Sequence, residues 1–205
     1  MSSVFLSASV PSTDSEYYKG CNPVLIQAAL RSFLFSVLGR KHLVFGGHPS
    51  ISSLILAVCQ DLGIENKHAV TIFQSKHFEE NFPSENLQFA NFIVTPTAGA
   101  REKSLSVMRK QMFAAYDYDS AVFIGGKEGV VQEYRFFRSA HPYSTVLALK
   151  SPGGAASTIG GSIMEDDELL DYDALFIKNI NVGKEFLKEM PAPKRSHGML
   201  YNKGR

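Results

Sequence analysis

The feature that most restricts the fold is a repeated unit: a short apolar run, a loop of small residues at its end, then a stretch with helical spacing. Residues 4–10 (VFLSASV) read as a strand, and residues 22–39 as a helix with Asn22 as N-cap, Pro23 in its first turn and Gly39 after its end. The unit recurs with a strand at 41–47, a helix at 50–63 capped by Ser50, and a strand at 68–75. After a polar stretch come a strand at 91–96 and a helix at 101–116, whose Leu105, Met108, Met112 and Ala115 form an apolar stripe. Strands at 120–126 and 144–151 then flank a helix at 128–140. Several of these strands are nearly continuous apolar runs, as expected where helices cover both faces of a parallel sheet. The expected fold is α/β, a Rossmann-like doubly wound, mainly parallel sheet.

A chain of 205 residues with 44% hydrophobic content is expected to form one core, assigned to residues 1–180, with residues 181–205 as a tail or arm. The run 174–178 (ALFIK) reads as an edge strand. A net charge of +1 with scattered basic residues gives nucleic-acid binding no support. No leader-like start and no long apolar run is seen, so a cytoplasmic protein without membrane partners is expected. Cys21 and Cys59 lack metal-ligand spacing, and both are expected to be reduced and structural, with no metal site.

In open α/β sheets, ligands bind outside the carboxyl ends of the strands. Here those ends carry Ser7 and Ser9, then Gly46, Gly47 and His48, then residues 95–100, then Gly125, Gly126, Lys127, Glu128 and Gly129, and finally Gly153 and Gly154. Glycine lets a backbone approach a phosphate, and the N–H groups and dipole of the following helix favour its charge. Alternatively, each glycine pair only turns the chain. Glu133 follows Gly129 by one helical turn, so it either faces the pocket or lies at the surface. Arg109 borders the apolar stripe of its helix, where it either snorkels to solvent or clamps a phosphate.

Arg109-Lys110, followed by Gly125, Gly126, Gly129 and Glu133 in that order, resembles the SLOG superfamily over roughly residues 4–160. That superfamily includes LOG phosphoribohydrolases, DNA-processing Smf/DprA proteins and sensor domains associated with TIR or Sir2 proteins. LOG enzymes carry an arginine-lysine pair and then Pro-Gly-Gly-x-Gly-Thr-x-x-Glu. This chain departs from them with Ile124 in place of the proline, with Lys127 and Glu128 where one residue is usual, and with Val130 in place of the threonine. The resemblance implies a nucleotide ligand and no obligatory cofactor. Its TIR-associated branch implies a sensor of an NAD-derived compound such as ADP-ribose, in a bacterial signalling or defence setting, as a homo-oligomer with a TIR-domain partner. Its LOG branch implies an N-glycosidic hydrolase of nucleoside 5′-monophosphates in which Arg109 and Glu133 are catalytic.

Overall fold

A computed structural model describes residues 2–64, 70–89, 91–160, 171–188 and 193–194, together with the backbone of 199–200. Six strands, β1 (Ser3–Ser9), β2 (His42–Phe45), β3 (Val70–Ser75), β4 (Asn91–Thr95), β5 (Tyr118–Gly125) and β6 (Thr145–Ala148), pair in parallel. A two-residue strand, β7 (Met199–Leu200), adds antiparallel to β4. The order across the sheet is β6-β5-β1-β2-β3-β4-β7. The chain winds outward from β1 through β2 and β3 to β4, then crosses to β5 on the other side of β1. Strand order therefore reverses between β1 and β5, which opens a crevice at their carboxyl ends.

Alternation along the strands sorts the core into two layers. Val4, Leu6 and Ala8 of β1 face α1 (Pro23–Val37), α2 (Pro49–Asp61) and α5 (Tyr172–Asn179). Phe5, on the opposite face, joins Phe123, Phe113 and Phe137 beneath α3 (Arg101–Ala115) and α4 (Glu128–Ala140). Its ring meets that of Phe113 edge-on at 4.8 Å. All seven residues of β1 are buried, as a central strand covered on both faces requires.

Two expectations need correction. Residues 174–178 lie in α5, not in an edge strand. Asp171 caps that helix by accepting from the Ala174 N–H, and Tyr172, Leu175 and Phe176 form its buried face, with Phe176 against Phe33 of α1. Helix α2 begins at Pro49 after His48, so Ser50 lies inside its first turn and is not its cap. Within the expected tail or arm, residues 199–200 extend the sheet. Of the strand expected at 68–75, residues 68 and 69 lie outside the described residues, as do residues 164–170 of an acidic run, 164–173 (MEDDELLDYD).

At the amino ends of the strands, the buried His42 ring bonds Ser3 Oγ through Nδ1 (2.7 Å) and Thr71 Oγ1 through Nε2 (2.9 Å), and Thr71 reaches the Tyr116 hydroxyl. Burial lowers the His42 pKa to about 4. Beside it, Lys41 Nζ donates to Asp119 (2.6 Å) and to the Asn181 carbonyl (2.7 Å). Among the described residues, no helix is long and apolar enough to cross a membrane.

Candidate functional site

At the carboxyl ends of β1, β2 and β3 lies a cavity of about 430 Å³. Its wall includes Ser7, Ser9, Gly46, Gly47, His48, Lys127, Gly129 and Glu133 among the residues singled out in the sequence. Ser7 and Ser9 occupy the last turns of the pleat in β1, beside the point where strand order reverses. Gly46 and Gly47 carry the chain from β2 into α2, and Lys127 precedes the first turn of α4.

Glu133 is the chemical centre of this wall. Its Oε2 accepts from Ser7 Oγ at 2.5 Å, and its Oε1 lies 3.8 Å from Arg109 Nε. A side chain at Gly46 would stand 3.6 Å from the same Oε1, so the glycine leaves the approach to the carboxylate open. Burial raises the Glu133 pKa above the ordinary glutamate range, against the opposing effects of the Arg109 charge and the Ser7 hydrogen bond. A carboxyl so placed serves as a proton donor or acceptor, or binds sugar hydroxyls.

Arg109 lies deeper than either sequence reading implied. Its side chain is 4% exposed and does not snorkel to the surface. Nη1 donates to Gln132 Oε1 at 2.8 Å, the guanidinium carbon lies 6.0 Å from the Phe136 ring centroid, and the buried Nε has no hydrogen-bond partner. It lines an adjoining chamber with Tyr17, Glu128 and Gln132, where Glu128 accepts from the Tyr17 hydroxyl. Arg101, Lys127 and Gly129 belong to the walls of both spaces.

The remaining glycines form the layer behind the cavity. Gly125 and Gly126 both have positive φ, and the Gly126 N–H donates to the Ser9 carbonyl at 2.7 Å. A side chain at Gly126 would collide with Val130, and one at Gly154 would come within 2.7 Å of the Gly125 carbonyl carbon. Gly153 is pressed against the Gly20 carbonyl in the same way. These four residues hold loop against loop and do not line the cavity.

Helix capping differs between the cavity and the rest of the molecule. Asn22 caps α1 and Asp171 caps α5 with side-chain hydrogen bonds. Helices α2 and α4, which begin at the cavity rim, have no side-chain cap, and neither does α3. His48 at the start of α2 bonds Ser50 Oγ through Nδ1 (2.9 Å), while Lys127 at the start of α4 donates to Ser12. The surrounding protein, and next the Lys127 charge, hold the His48 pKa below its ordinary value.

The third side of the cavity was not foreseen. Gln74 and Ser75 at the end of β3, with Phe78 and Asn81 in the 3-10 segment Lys76–Asn81, complete the wall. The signal was available, since Gln74 is a polar residue near the carboxyl end of a strand. No glycine follows it to draw attention.

A model of the SLOG cluster3 family matches residues 16–180, and the chain belongs to that family. The matched segment begins after β1, so Ser7 and Ser9 lie outside it, while the walls contributed by β2, β3 and α4 lie within. Neither the curated proteins nor the solved structures yield a match.

Proposed function

We propose that this SLOG cluster3 domain binds a phosphorylated nucleotide in the cavity and acts as a sensor of it. Family membership suggests a nucleotide-related role. The observation that carries the reading is the convergence of two uncapped helix starts, those of α2 and α4, on one cavity that also holds Glu133. An anion between those helix starts meets both dipoles and the Lys127 ammonium. The Glu133 carboxylate then faces the sugar, whose hydroxyls donate to it. An NAD-derived compound such as ADP-ribose is the ligand class to test first, in a cytoplasmic signalling or defence role. Ligand-driven self-association and a TIR-domain partner belong to the same proposal.

Calorimetric titration with AMP, ADP-ribose, adenosine and ribose 5-phosphate tests the reading. Saturable binding of a phosphorylated compound, at least about tenfold tighter than adenosine, is expected from the loss of charge-assisted hydrogen bonds. Flat titrations with all four would overturn it.

A second reading is favoured by the state of Glu133, which is buried, raised in pKa and held by Ser7 and Arg109. In an N-glycosidic hydrolase such a group protonates the leaving base or orients water. Release of free base from a nucleoside 5′-monophosphate, reduced about 10²–10⁴-fold in Glu133→Gln, would establish that reading. Binding without turnover supports the sensor.

A further inference from the structure

The β3 side of the cavity carries chemistry that phosphate binding and Glu133 leave unused. Gln74 lines the cavity, and its Nε2 donates to the Gly47 carbonyl. That bond settles which way the amide points, because a carbonyl accepts only from the nitrogen. Its Oε1 is therefore the other pole, and it is buried without a hydrogen-bond partner. Gly47 holds this arrangement: it has φ +67°, and a side chain there would lie 2.6 Å from Gln74 Nε2. The glycine that resembles a phosphate contact in the sequence is the seat of a glutamine.

An unpaired buried acceptor is costly, and one carried by a residue that lines a cavity calls for a donor from the occupant. The same cavity is lined by Phe78, the one residue of its 3-10 segment with non-helical angles (φ −111°, ψ 18°). An aromatic ring and an oriented amide lining one cavity suit a planar heteroaromatic group: the ring packs on a face and the amide reads an edge. The spacing agrees. From β1, beside the α4 helix start, to β3 is two strand intervals, about 10 Å, so a nucleotide with its phosphate at α4 and its sugar at Glu133 brings its base to β3.

We propose that Gln74 is the base-reading residue, and that its Oε1 selects a base presenting an exocyclic amine at this edge over one presenting a carbonyl. The inference rests on the nucleotide reading above. An amino group donates to Oε1, whereas an oxo group would set two acceptors against each other.

The test compares AMP, purine riboside 5′-monophosphate, IMP and ribose 5-phosphate by calorimetry on the wild-type chain, which needs no variant to fold. AMP is expected to bind about tenfold more tightly than the purine compound, with IMP weaker still. In Gln74→Met, checked for cooperative melting, the three nucleotides should fall within about twofold of one another. Equal affinity of the wild type for AMP and IMP, or a preference that survives in folded Gln74→Met, would overturn the role of Gln74 while leaving nucleotide binding intact. Ribose 5-phosphate binding as tightly as AMP would likewise show that the base is not read. Failure of all four to bind would remove the nucleotide reading and this inference together.

Discussion

At the amino ends of the strands, Ser3, His42, Thr71 and Tyr116 form a closed chain of hydrogen bonds, and Lys41 has both a carboxylate and a carbonyl. At the carboxyl ends, Gln74 Oε1 and Arg109 Nε are buried without partners, Glu133 carries a raised pKa, and three helices start without side-chain caps. Both ends bury polar groups in the same sheet. The His42 and Lys41 groups are satisfied from within and so contribute to stability; Gln74 Oε1 and Arg109 Nε are left unsatisfied beside a cavity.

The contrast is broken most severely at Lys41. Asp119→Ala removes the carboxylate from an ammonium whose side chain is 5% exposed. It should cost about 3 kcal/mol or more in denaturant unfolding and leave AMP affinity unchanged. A variant as stable as wild type would show that the amino end is not the stabilising one.

Acid comes next. The folded pKa of His42, about 4, lies below its unfolded value of 6.5, so the stability tied to its neutral ring is complete above pH 6.5. That stability is lost as pH falls toward 4, up to roughly 3 kcal/mol. Glu133 runs in the opposite sense, because its raised pKa favours the protonated form in the fold. Its contribution is present at low pH and fades as pH rises through the folded value. Unfolding curves between pH 7 and 4 should therefore be flatter in His42→Gln than in wild type and steeper in Glu133→Gln. The same slope in all three proteins would contradict the assignment.

Arg109→Ala should destabilise the chain by about 2 kcal/mol, because it empties a buried volume over Phe136 and leaves Glu133 without its nearby cation. Any loss of AMP affinity should then be shared with Glu133→Gln, as expected of a residue that positions the carboxylate. The smallest effect is expected at Lys127→Ala. Its ammonium is at the surface, so stability should move by less than about 0.5 kcal/mol, while AMP affinity falls about threefold at low salt and less at high salt.

Much of the fold was legible because local and long-range signals agreed. Asn22 and Pro23 announce a helix that needs no outside help to start, and α4 occupies the residues expected for it, 128–140. The run 174–178 misleads because its four apolar residues fit either period, and its cap, Asp171, is camouflaged in the acidic stretch 164–173. The two-residue β7 has no periodicity to read, and its position comes from pairing with β4. The site was legible to the extent that strand ends are. Which glycines face the cavity was not, since that depends on loops far apart in sequence: Gly126 answers to Ser9, Gly153 to Gly20 and Gly154 to Gly125. Gln74 was hidden for a related reason, because its meaning lies in an amide orientation fixed by Gly47.

The glycine contacts behind the cavity have a consequence for how such a site changes over time. The Gly125-Gly126 turn is shaped by Ser9 in front and by Gly154 at its back, and Gly153 is wedged against Gly20. The loops after β1, β5 and β6 are thus cut to one another like the wards of a lock. A residue inserted in any one of them must be answered in the other two, and transplanting the 125–129 segment alone into a relative would carry over the letters of the motif without its shape. Diversification is easier where no such fit exists, along the wall that follows β3, where Phe78 and Asn81 meet the cavity from a segment outside the interlocked set.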